Sequence, residues 1–293
     1  MFADRIIEAA RRLGPLCVGI DPHPGRVPEL FGGDTPKGLA AWGMAVVEAA
    51  AGRVAAVKPQ VGLFERLGPE GMAALQVVCD RAREAGLIVI ADAKRGDIGS
   101  TAEGYARAWL AEDAPFAADA LTVNPYMGLD TLEPYLTACE TGGRGLAVLV
   151  RTSNPGAADF EALDCGGKPL YMRVAEALKP SARRLKGESG WSGLMLVAGA
   201  TAPGEARAIR AAQPDALFLV PGYGAQGAGV ADALSGFVPG PSGLEGGLVN
   251  ASRAVTFPAA AEGVSTYRSW QGAITQAIEA AQAALKGGAA SGG

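Results

Sequence analysis

Eight short apolar runs, most of them separated by stretches of helical period, in a chain whose composition never breaks, predict an α/β protein built as a single closed (β/α)8 barrel. The runs fall at 16–20, 54–58, 87–92, 118–124, 145–151, 193–198, 216–220 and 247–250. A strand buried on both faces reads as a continuous apolar run rather than as an alternation. Helical stretches lie at 2–13, where Phe2, Ile6, Ile7 and Ala10 share a face, and at 38–51, 71–85 and 203–212. A doubly wound open sheet is the structural rival. The barrel is predicted over residues 1–285, and 286–293, KGGAASGG, reads as a flexible tail. Segments 155–168 and 236–246 read as long excursions on loops that follow strands.

Composition narrows the function classes. The chain has 293 residues, is 49% hydrophobic, and contains 42 glycines and 19 prolines. That suits many short turns without reaching the composition of disordered chains. Net charge is −4, and the absence of a basic block argues against nucleic acid as a partner. No apolar run approaches the roughly 18 residues that would span a bilayer, and the first residues, MFADRIIEAARRLG, do not read as a secretory signal. Cys17, Cys79, Cys139 and Cys165 lie far apart with no metal-ligand spacing. Together these predict a reduced, cytoplasmic protein.

In a parallel barrel, chemistry gathers where strands end at their carboxyl termini. The residues just past each run are Asp21 in GIDPHP, Lys58 in VKPQ, then Asp92, Lys94 and Asp97 in ADAKRGD. Asn124 in TVNPYMG, the RTSN stretch with Ser153, PGYGAQG with Gln226, and NASRAV with Arg253 follow. Asp92 and Lys94 point the same way if the backbone stays extended. Read individually, they also fit an ordinary strand-end ion pair, with Asp97 or a Ser100/Glu103 capping box starting the next helix. Read together, Lys58, Asp92, Lys94 and Asp97 make two cations and two anions, which must compensate one another if buried. Such an array can hold a substrate charge in place and deliver a proton from an ammonium. The single histidine, His23, sits between two prolines and reads as a loop residue. The glycine-rich turn at 221–227 followed by Arg253 matches the usual phosphate grip of this architecture, after its last two strands.

The ten residues DAKRGDIGST at 92–101, with Lys58 upstream and TVNPYMG, RTSNPG and PGYGAQG downstream, resemble the orotidine 5′-phosphate decarboxylase family. The likeness runs from Asp21 to Arg253 and points to the longer-chain bacterial type 2 subgroup. It implies conversion of orotidine 5′-monophosphate (OMP) to UMP and CO2 in de novo pyrimidine biosynthesis, with no metal and no organic cofactor. It further implies that Lys94 protonates C6, that Asp92 lies by the departing carboxylate, and that Lys58 bridges Asp92 and the ribose. Asp97 and Thr101 would complete the partner's site in a homodimer. Asp21 would bind the ribose, Ser153 the pyrimidine, and Gln226 and Arg253 the phosphate, with Asn124 also among the substrate-binding residues. The chain departs from shorter members at Arg95-Gly96, where an apolar pair is frequent, and this bears on the dimer contacts.

Two other functions fit parts of the pattern. A hexulose-phosphate-synthase-like lyase shares the D-x-K-x-x-D core but would need a divalent metal, so a chelator discriminates it. A non-catalytic nucleotide-binding barrel would bind ligand without turnover.

Overall fold

The structure, a computed structural model, describes residues 1–224 and 227–291. Seven parallel strands come first: β1 (Leu16–Ile20), β2 (Ala56–Pro59), β3 (Ile88–Arg95), β4 (Ala120–Val123), β5 (Gly145–Arg151), β6 (Ser192–Ala198) and β7 (Ala216–Val220). A short antiparallel hairpin, β8 (Val238–Gly240) and β9 (Gly243–Glu245), precedes the last barrel strand, β10 (Gly247–Ala251). β10 pairs with both β7 and β1, and this closes the barrel and excludes the open sheet.

The two faces of each strand serve different layers. Outward residues such as Val18, Val57, Val89, Leu121, Val148, Leu196, Phe218 and Val249 are buried under the surrounding helices. Inward residues Cys17, Ala56, Ile88, Ile90, Ala120, Ala147, Met195, Leu217 and Leu248 form an inner core with Phe2, Ile6 and Ile7 of the helix Phe2–Leu13. That helix stoppers the amino-terminal end of the barrel. Gly145 admits it, because a Cβ there would lie 2.4 Å from the Phe2 ring. Each large apolar side chain so buried stabilises the fold by about 1.5–3 kcal/mol.

Several boundaries differ from the sequence reading for local reasons. The helix expected from 38 begins at Pro36, since Thr35 caps it by accepting the Gly38 N–H at 3.0 Å. The helix Gly99–Leu110 has Ile98 at its N-cap with no side-chain cap, so neither Asp97 nor a Ser100/Glu103 box starts it. The 236–246 excursion is not on the catalytic side. A helix, Val230–Ala233, intervenes after β7, and the hairpin lies against the Phe2–Leu13 helix. There Glu245 accepts both nitrogens of Arg11 at 2.7 and 2.8 Å and the Trp191 indole at 3.0 Å.

Residues 286–291, expected as part of a loose tail, instead continue the helix Tyr267–Ser291, and Gly292 and Gly293 lie outside the described residues. Ala289 is buried, and Gly288 lets the helix approach Val230, whose Cγ1 would lie 2.3 Å from an added Cβ. A glycine that looks like a breaker, Gly288, serves here as a contact point. The amino-terminal end of the barrel also has a buried charge that the sequence reading missed. Asp119 accepts from Arg5 at 2.8 Å, Arg144 at 3.3 Å and the Val89 N–H at 2.9 Å, tying the first helix to β3 and β4. No helix among the described residues is long and apolar enough to cross a membrane.

Candidate active site

Inward positions change character along the strands, from apolar at the amino end to polar at the carboxyl end. On β1 the series is Cys17, Gly19, Asp21; on β2, Ala56, Lys58, Gln60; on β3, Ile88, Ile90, Asp92; on β10, Leu248, Asn250, Ser252. The period of two that builds the inner core therefore also lines the cavity above it. That cavity, of about 500 Å³, is lined by these polar residues together with His23, Lys94, Thr122, Ser153 and Arg253. Its floor on the β5–β7 side is apolar, made by Leu149, Val197 and Leu219.

At the polar side stands a charge triplet. Asp92 accepts from Lys58 Nζ at 2.6 Å on one oxygen and from Lys94 Nζ at 2.7 Å on the other. Gln60 Nε2 adds a third bond at 3.1 Å. Burial disfavours the Asp92 carboxylate, but the two ammonium groups outweigh that and hold it below the usual carboxylate range. Burial likewise opposes the charge on Lys58, yet Asp92 and then Asp21 hold its ammonium above the usual lysine range. Lys58 and Asp92 are 4% and 7% exposed, whereas the Lys94 side chain keeps 48% of its surface open. Lys94 is thus the member of the triplet that a ligand can reach.

Lys94 arrives there by an unusual backbone. Its φ is 48°, the only positive value outside glycine among the described residues. A left-handed residue with a side chain costs roughly 1–2 kcal/mol, and such strain clusters at functional sites. The register between β3 and β4 shifts between Ala91 and Arg95 at the same place. Lys94 therefore pairs with Asp92 through a bulge rather than by the simple alternation that the sequence suggested, and β3 runs to Arg95 instead of stopping at Asp92.

The other residues expected from the sequence separate into groups. Asp21, Ser153 and Arg253 line the cavity, and Asp21 Oδ1 is a buried acceptor with no partner among the described residues. Asp97 and Thr101 lie outside the lining of this chain's own cavity; Asp97 Oδ1 accepts the Ile98 N–H at 2.8 Å, and Thr101 is exposed on its helix. Asn124 is also exposed, its Oδ1 accepting the Tyr126 N–H at 3.0 Å. Gln226 lies outside the described residues. His23 is a loop residue, as expected, but one that lines the cavity, its ring 6.3 Å from that of Phe257.

Gln60, Thr122, Asn250 and Ser252 are further lining residues that the sequence reading did not single out. Each sits two positions along its strand from another inward residue, Thr122 from Ala120 included, so spacing could have found them. The segment carrying Ser153 is fixed from behind: Arg151 pairs with Glu205 and, at 3.3 Å, with Glu161, which also accepts the Thr152 N–H at 2.9 Å. No group of three or more His, Cys, Asp or Glu side chains placed to hold a metal ion occurs among the described residues.

Fold and site define a class: a (β/α)8 barrel with a charged, ligand-sized cavity at the carboxyl ends of its strands. The family model described as orotidine 5′-phosphate decarboxylase / HUMPS matches residues 14–267. The orotidine 5′-phosphate decarboxylase of Rhodopirellula baltica is 37% identical over 98% of this chain and 99% of its own. That of Deinococcus radiodurans is 40% identical over 87% and 89%. The solved structure of Leishmania donovani OMP decarboxylase superposes with a TM-score of 0.74 at 33% identity, covering 97% of this chain and 98% of that one. The chain belongs to the orotidine 5′-phosphate decarboxylase / HUMPS family.

Proposed function

We propose that this chain is an orotidine 5′-monophosphate decarboxylase that forms UMP and CO2 in pyrimidine biosynthesis, with Lys94 as general acid and no cofactor. The Lys58–Asp92–Lys94 triplet carries the reading. In the reaction the bond from C6 to the carboxylate carbon breaks heterolytically and its electron pair stays on C6. That pair occupies an sp2 orbital that the ring π-system does not absorb, so stabilisation has to come from fixed charge at the carbon. The Lys94 ammonium supplies the charge and then the proton; the neutral amine regains a proton from solvent after release. Asp92, held ionised by its two lysines, repels the substrate carboxylate until CO2 leaves. Asp21, with an unpartnered oxygen, suits ribose hydroxyls; Ser153 suits the pyrimidine above the apolar floor; Arg253 and Gln226 are assigned to the phosphate.

The reading includes a cytoplasmic homodimer in which Asp97 and Thr101 reach the partner's cavity. Support comes from the surface around them: Ile98, Tyr126, Met127 and Leu129, on the loops and turns after β3 and β4, are 61%, 84%, 47% and 42% exposed. Apolar side chains so concentrated suit a covered surface. Sedimentation at micromolar concentration reads the dimer mass directly.

The test is the loss of OMP absorbance with EDTA present. Turnover at the same rate with and without chelator is the expected result. Activity that disappears with EDTA and returns with a divalent cation would identify metal-dependent aldol chemistry instead, and binding without turnover would identify a non-catalytic barrel. Arg253→Ala is expected to weaken UMP binding by about 1.5–3 kcal/mol, roughly 10- to 100-fold, as for other hydrogen bonds to charged groups. Uridine, which has no phosphate, should bind both proteins alike by calorimetry. An equal loss for both ligands would remove the phosphate assignment.

A further inference from the structure

We infer that Thr122 is the positioning residue that aims the Lys94 ammonium, an inference that rests on the decarboxylase reading above. Thr122 faces the barrel interior from β4, one inward step above Ala120, and is 1% exposed. Its hydroxyl oxygen accepts the backbone N–H of Lys94 at 2.8 Å and lies 3.1 Å from Asp92 Oδ1, to which it donates. The same Asp92 oxygen takes the Lys94 ammonium at 2.7 Å. One buried hydroxyl thus ties both the main chain of Lys94 and the carboxylate that its side chain grips.

This arrangement answers a local problem. Lys94 lies where the β3–β4 register shifts, between Ala91 and Arg95, and its N–H goes to a side-chain oxygen of β4. That N–H is aimed at the buried Thr122 hydroxyl inside the barrel, where an unmet donor would be costly. A side-chain oxygen on the neighbouring strand meets it and so selects the left-handed conformation over the extended one. The extended conformation would continue the strand and swing the ammonium away from its present seat. Thr122 does not line up with the acid by touching substrate; it acts through Lys94 and Asp92.

The experiment compares Thr122→Val, which keeps the shape and removes the hydroxyl, with Thr122→Ser, which keeps the hydroxyl. Thr122→Val is expected to lower kcat by about 10- to 100-fold, the range a displaced catalytic group produces, while KM for OMP and the affinity for UMP change less than about threefold. Thr122→Ser should recover most of kcat. In ¹⁵N-lysine spectra of the ligand-free proteins, the Lys94 Nζ resonance should move in the valine variant and return in the serine variant. A valine variant with wild-type kcat, a serine variant no better than valine, or a loss shared equally by kcat and UMP affinity would overturn the inference. If the wild-type protein fails to decarboxylate OMP, the functional reading falls, and the Lys94 resonance alone then decides for or against Thr122.

Discussion

Lys94→Ala should abolish decarboxylation, with kcat lower by roughly 10⁴-fold or more, while the protein stays folded and still binds UMP. General acids contribute about 10²–10⁴-fold and a preorganised charge at the reacting atom a further large factor. Lys94 supplies both in the proposed reaction. Its side chain is half exposed, so its ion pair adds about 0–1 kcal/mol to stability and the fold should not depend on it. Asp92 would keep Lys58 as its partner. Single-turnover kinetics with OMP and calorimetry with UMP check the two halves of this expectation. Near-normal turnover would overturn the assignment of Lys94.

Asp92→Asn should instead weaken the fold itself, by about 3–5 kcal/mol, because it leaves the buried Lys58 ammonium without its anion. Denaturant midpoints of the two proteins measure the difference. Its pH dependence has a definite sign. Asp92 is held below its ordinary value, so its contribution is complete above the unfolded carboxylate pKa near ~3.9 and is lost as pH falls toward the folded value. Lys58 is held above its ordinary value, so its contribution is complete below about 10.4 and is lost only at higher pH. The pair's contribution to wild-type stability should therefore be flat from about pH 5 to 9 and shrink below about pH 4, whereas the unpaired Lys58 of Asp92→Asn can shed its proton as pH rises. A wild-type stability that instead changes steeply through neutral pH would mean that the pair is not ionised as described.

The fold was legible because barrel strands announce themselves as apolar runs, and the polar residues just past them mark the functional end. Asp21, Lys58 and Asp92 could be placed this way, since each directly follows an apolar strand residue, and Arg253 lies two past Ala251 at the end of β10. The bulge at Lys94 could not, because its cause is a hydroxyl on a strand distant in sequence, Thr122. Periodicity is local, and it cannot register a bond across 28 residues. Composition misled at Gly287-Gly288, where the helix continues and the absence of a side chain at Gly288 permits its packing. It also left Asp119 unnoticed, since a single acid within the 118–124 run shows no partner until Arg5 and Arg144 are seen to converge on it.

The stopper formed by the helix Phe2–Leu13 bears on how the chain matures during synthesis. Phe2, Ile6 and Ile7 belong to the same inner cluster as Met195, Leu217 and Leu248, so a segment that leaves the ribosome well before those strands has to wait for its packing partners. Until β10 emerges and closes the ring, that amphipathic segment has no interior to enter. Nascent chains that stall before residue 247 should therefore display an unsatisfied greasy helix, a natural handle for chaperones.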